Sequence, residues 1–64
     1  MTIDEIRKRI ELIKTEDNES AHYSEDTLYK DVLAYIATGN ATNAQELAYE
    51  ALKAADLSYT RWYA

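Results

Sequence analysis

The sequence predicts an all-α protein, a small three-helix bundle with an aromatic C-terminal tail. Apolar residues recur every three or four positions in three segments, and each segment begins near a capping motif. The 64-residue chain has one glycine and no proline, whereas a β-rich fold needs many turn residues. We expect a single helical domain over residues 1–64, with helices at about 3–15, 20–38 and 43–56 and a tail at 57–64.

The first helix is predicted from its capping box and a narrow apolar stripe. Thr2 stands three residues before Glu5, which is the spacing at which each side chain can bind the other residue's backbone amide. Isoleucines then follow at three- and four-residue intervals, as on one face of a helix. The stripe comprises Ile3, Ile6, Ile10 and Ile13.

The second helix follows a polar connection at residues 16–20. Asn18 or Ser20 can cap its N-terminus, and acids there suit the positive end of the helix dipole. Gly39 stands where a left-handed residue ends a helix. The apolar face comprises Ala21, Leu28, Val32, Tyr35 and Ile36.

Glu25 falls inside the apolar face of the second helix. A buried carboxylate is costly unless it is hydrogen-bonded or paired. We expect it to bind a tyrosine, a histidine or a helix-end amide, or to be satisfied across an interface with another chain.

The third helix is capped by Thr42 with Gln45 or by Asn43 with Glu46, since both pairs fit the capping-box spacing. Its stripe is rich in alanine, which lets a neighbouring helix approach closely. We therefore expect this helix to be central in the bundle. The stripe comprises Ala44, Leu47, Ala48, Ala51, Leu52 and Ala55.

Composition excludes several classes of site. The chain has no cysteine and one histidine, so it offers neither a disulfide nor a cysteine or multi-histidine metal site. No phosphate-binding glycine loop or catalytic triad spacing is present. No apolar run approaches the roughly 20 residues that cross a bilayer, and the acidic first residues are unlike a signal peptide. We expect a soluble cytoplasmic protein that is not an enzyme and needs no cofactor.

The negative charge is concentrated in one segment. Residues 16–31 carry six acids and one lysine, a net charge of −5 that equals the net charge of the whole chain. Such a segment attracts a basic protein surface and disfavours direct binding to nucleic acid. The basic triplet at residues 7–9 is expected to be a solvated face, or to pair with the acidic segment of a neighbouring molecule.

Two groups of residues are candidate partner contacts. The first lies on the second helix and comprises His22, Glu25, Asp26, Tyr29 and Asp31. The second lies in the tail, where Arg and aromatic side chains have the composition of an interface hot spot. The tail can equally fold back and complete the core, so both interpretations stay open. The tail residues concerned are Tyr59, Arg61, Trp62 and Tyr63.

Five short segments of the sequence form a recognisable pattern: residues 21–28 (AHYSEDTL), 31–33 (DVL), 36–39 (IATG), 50–53 (EALK) and 61–64 (RWYA). In these segments the sequence resembles short uncharacterised helical proteins of bacteriophages and bacterial mobile elements. It implies a phage-associated accessory protein. Small acidic phage proteins are often inhibitors that block a host machine, including anti-CRISPR and anti-restriction proteins. The comparison is with this class of proteins as a whole and assigns no role to individual residues.

Three functional hypotheses follow from the sequence. The first is an acidic protein-binding module, a phage-encoded inhibitor or adaptor acting on a host protein. The second is a self-associating structural module, a homo-oligomer that buries the isoleucine or the alanine stripe between chains. The third is a small-molecule or metal binder that uses His22, Glu25 and Tyr29.

Overall fold

The computed structural model describes residues 1–39 and 41–57 and confirms the all-α bundle. These residues form three α-helices and a short 3-10 helix, with no β-strand among them. Each of the three α-helices packs against the other two. Their bounds are α1 Ile3–Lys14, α2 Asn18–Ala37 and α3 Ala44–Leu52, and the 3-10 helix is Lys53–Asp56.

The predicted capping box of α1 is present. Glu5 donates its backbone amide to Thr2 Oγ1 at 3.1 Å, and Thr2 donates its own amide to Glu5 Oε1 at 3.2 Å. Two amides that would otherwise lack partners are thus satisfied by side chains.

The start of α2 differs from the prediction, because its cap is Asp17 and neither Asn18 nor Ser20. Ser20 donates its backbone amide to Asp17 Oδ1 at 2.8 Å, and this hydrogen bond lowers the pKa of the Asp17 carboxyl. A carboxylate is also favoured by the positive end of the helix dipole. The end of α2 agrees with the prediction, since Gly39 adopts a left-handed φ of +78°.

The start of α3 lacks the predicted capping box. Asn43 is the cap residue, and its side chain makes no capping hydrogen bond. The end of α3 is also different, because the chain changes to 3-10 geometry after Leu52. Ala54 is buried, because it follows Leu47 by seven residues and Ala51 by three on the same face, whereas the predicted stripe residues Leu52 and Ala55 are exposed.

The core lies between the three helices and is small. Its largest fully buried side chains are Ile6, Leu28 and Leu47, one from each helix. Three of the four isoleucines of the predicted stripe are buried, and Ile3 packs at the edge. No helix in the described part of the chain is long and apolar enough to span a membrane. The buried apolar residues are Ile6, Ile10, Ile13, Ala21, Leu28, Val32, Leu47, Ala51 and Ala54.

Candidate protein-binding surface

Glu25 lies in the core, a point that its place in the apolar face left open. It is 4% exposed, and it accepts a hydrogen bond of 2.5 Å from the Tyr29 hydroxyl one turn along α2. The expectation that a buried Glu25 binds a tyrosine is therefore confirmed. Because it is buried, its carboxylate is not part of the surface that a folded chain presents to a partner.

His22 and Asp26 form a second pair on α2. His22 Nε2 lies 3.3 Å from Asp26 Oδ2, and the Asp26 side chain is mostly exposed. His22, Glu25, Asp26 and Tyr29 thus form two pairs with a four-residue spacing, and only Asp26 among them is mostly exposed. Among residues 1–39 and 41–57, no group of three histidine or acidic side chains is arranged to hold a metal ion.

Asp31 and the basic triplet are paired within the chain. Arg9 Nη1 lies 2.9 Å from Asp31 Oδ2, which joins α1 to α2. Arg7 Nε donates to Glu50 Oε2 at 3.1 Å, which joins α1 to α3. Two of the three basic residues therefore bind acids of their own chain, and Asp31 is partly neutralised before any partner arrives.

The remaining acidic charge lies around the start of α2. Glu16, Asp17 and Glu19 are exposed, and within the described residues none of them forms an ion pair with a lysine or arginine. Asp26 follows Glu19 two turns later and faces the same side of α2. This side of the helix therefore presents exposed acids that form no ion pair with a lysine or arginine among residues 1–39 and 41–57.

An apolar groove runs between α2 and α3 beside this acidic side. Its volume is about 200 Å³ and its walls are apolar. Leu33 is 66% exposed and Leu52 is 62% exposed, so a large side chain borders the groove on each helix. Asp26 precedes Tyr29 by three residues, which places the acidic side at one end of the groove. The lining residues are Tyr29, Val32, Leu33, Ala48, Ala51 and Leu52.

The four aromatic and basic tail residues predicted as partner contacts lie outside the described residues. Those residues are Tyr59, Arg61, Trp62 and Tyr63.

Glu50 is a buried acid that the sequence prediction missed. It is 7% exposed and accepts hydrogen bonds from Arg7 and from Lys53, whose Nζ lies 3.1 and 3.2 Å from its two oxygens. A signal was present, because Glu50 lies between Leu47 and Ala51 on the apolar face of α3, as Glu25 does on α2. Its two cations mark a structural link between α1 and α3.

The Glu50 cluster predicts a specific loss of stability in acid. Hydrogen bonds from Arg7 and then Lys53 lower the pKa of the Glu50 carboxyl in the folded state. A carboxyl with a lowered folded pKa stabilises the fold above its unfolded pKa of about 4.3, and this contribution is lost as pH falls through the folded pKa. We expect the stability difference between the wild type and Glu50→Gln to shrink as pH falls.

Urea denaturation of both proteins between about pH 7 and pH 3 measures this difference. The other carboxyls titrate in both proteins, so their contribution cancels in the stability difference between the wild type and Glu50→Gln. A difference that stays constant over the range would contradict the proposed role of the ion pairs.

A comparison of the chain with protein-family models, curated proteins and solved structures finds no match.

Proposed function

We propose that this protein acts by binding another protein, one whose surface is basic around an apolar side chain. The observation that carries the proposal is the apolar groove between α2 and α3, which Leu33 and Leu52 border and which ends beside Asp26. Exposed apolar patches with a polar rim are typical of interaction sites. The proposed binding surface is this groove together with Glu19, His22 and Asp26.

The two parts of the surface have different roles in the proposal. Burial of Leu33 and Leu52 against a partner supplies most of the affinity, because removal of apolar surface from water is favourable. The acids on α2 supply attraction at long range and select a basic partner over an acidic one. Their charge also disfavours direct contact with nucleic acid, whose backbone is negative.

The biological setting of the proposal comes from the resemblance to phage proteins. A phage-encoded inhibitor or adaptor works in the host cytoplasm on a host protein, without catalysis or a cofactor. A host protein that handles nucleic acid has the basic surface that this acidic surface would bind. Anti-CRISPR and anti-restriction inhibitors belong to this class.

The test is a tagged pull-down from the lysate of a candidate bacterial host, with partners identified by mass spectrometry. We expect the wild type to enrich a basic protein and the double variant Glu19→Lys/Asp26→Lys to lose it. Leu33→Ser should weaken the same interaction about tenfold, as expected for a buried leucine at an interface. Titration calorimetry with the purified partner measures that change.

Leu12→Ser is the matched control, because Leu12 is exposed to the same degree as Leu33 but lies on α1. It should leave partner binding unchanged. A partner that binds the wild type, the charge-reversal variant and Leu33→Ser equally well would exclude this surface as its binding site.

A further inference from the structure

The isoleucine stripe cannot mediate self-association, because the folded chain already uses it. Ile6, Ile10 and Ile13 are buried between the helices of a single chain. Another apolar surface remains between α1 and α2, where Leu12 is 63% exposed and Tyr23 is 74% exposed. These two side chains line a groove of about 350 Å³ on the α1 flank of α2, and this groove shares no lining residue with the α2–α3 groove.

The two helices that form this groove run in opposite directions. Arg9 contacts Asp31, whereas Glu16, further along the chain, contacts Ser24. Helices α1 and α2 are therefore antiparallel. Residues near the start of α1 lie beside the second half of α2, and residues near the end of α1 lie beside the start of α2.

The charges at the two ends of the groove are opposite in sign. Lys8 precedes Leu12 by one turn, and Lys30 follows Tyr23 by two turns, so both exposed lysines lie toward the same end. Glu16, which lines the groove, lies toward the other end and is exposed as well. The groove thus has an apolar centre, a basic end and an acidic end.

This pattern is complementary to itself. In a two-fold dimer the same patch occurs on both chains, so the two ends of the patch meet in reverse order. Rotation about an axis through the apolar centre brings the basic end of one chain onto the acidic end of the other. The same rotation brings together the exposed Leu12 and Tyr23 side chains of the two chains.

We propose that the α1–α2 groove binds the same groove of a second copy of this chain, forming a two-fold dimer. Leu12 and Tyr23 form the apolar centre, and Lys8 of each chain faces Glu16 of the other. The proposal does not depend on the proposed function, because the α1–α2 groove and the α2–α3 groove share no lining residue. The dimer is weak and concentration-dependent, since two chains of net charge −5 repel each other.

Sedimentation equilibrium of the wild-type protein from about 10 µM to 1 mM tests for the dimer. We expect Leu12→Ser to raise the dissociation constant at least about tenfold. In a two-fold dimer the substitution occurs in both chains and therefore removes apolar surface at two places in the interface. Tyr23→Ser is a second variant with the same expectation. Leu33→Ser is the matched control, and it should leave the dissociation constant unchanged.

A charge exchange tests the orientation of the two chains. Lys8→Glu alone gives two acidic ends, and Glu16→Lys alone gives two basic ends, so neither variant should dimerise with itself. An equimolar mixture of the two should form a heterodimer. The double variant Lys8→Glu/Glu16→Lys should recover self-association, because both ends are reversed together.

Helix content by circular dichroism establishes that each variant is folded, and all the changed positions are exposed. A wild-type protein that is monomeric at every concentration would overturn the proposal. A dimer that Leu33→Ser weakens and Leu12→Ser does not would overturn it as well. So would a mixture of the two charge variants that stays monomeric.

Discussion

Leu28→Ala is expected to remove a large part of the free energy of unfolding at 25 °C. Leu28 is fully buried and is the largest side chain that α2 contributes to the core. Truncation of a buried leucine to alanine costs about 2 to 5 kcal/mol, from the lost burial and the cavity that remains. A chain of this size has a total stability of about 3 to 10 kcal/mol, so this one change removes a large part of it.

Leu33→Ala on the same helix is the control for this prediction. It removes the same atoms from a side chain that is mostly exposed, and its cost should stay below about 0.5 kcal/mol. Thermal and urea unfolding followed by circular dichroism compare the two variants with the wild type. Equal melting temperatures for Leu28→Ala and Leu33→Ala would show that α2 does not pack through the face described here.

Glu25→Lys is the second change with a large expected effect. Glu25 lies among core residues and accepts a hydrogen bond from the Tyr29 hydroxyl. A lysine there places a positive charge in the core and leaves the hydroxyl without its carboxylate acceptor. Breaking a buried charged interaction in this way costs on the order of 3 to 5 kcal/mol.

Asp26→Lys is the matched control, since it makes the same change of charge one residue later at an exposed position. Its effect on the free energy of unfolding should be about 0.5 kcal/mol or less. Urea denaturation at neutral pH distinguishes the two variants. Equal stabilities would mean that the position of Glu25 in solution is not the buried one.

The contrast between these two positions determines how partner binding should be tested. If a charge-reversal variant includes Glu25, a loss of partner binding can come either from the changed surface or from unfolding of the protein. A reversal restricted to Glu19 and Asp26 changes the surface potential and leaves the core intact. The salt dependence of partner binding provides a further check, because attraction between exposed charges is screened at high ionic strength.

Periodicity and capping chemistry determined most of the fold. The capping box of Thr2 and Glu5, the end of α2 at Gly39 and the buried isoleucine stripe all follow from residues close together in the chain. The place of Glu25 on the apolar face was also predictable, because a helix brings residues three and four apart onto one face. The hydrogen bond from Tyr29 obeys the same spacing.

Only the tertiary structure decided which residues of different helices meet. The ion pairs of Arg7 with Glu50 and of Arg9 with Asp31 join positions far apart in sequence, where local spacing gives no information.

The sequence by itself therefore determined three helices and the buried faces of the first two, because those features depend on local spacing and on the hydrophobic effect. It did not determine where the exposed leucines lie relative to the acids, since that depends on the direction and packing of whole helices. Packing alone separates an α2–α3 groove with an acidic end from an α1–α2 groove with oppositely charged ends.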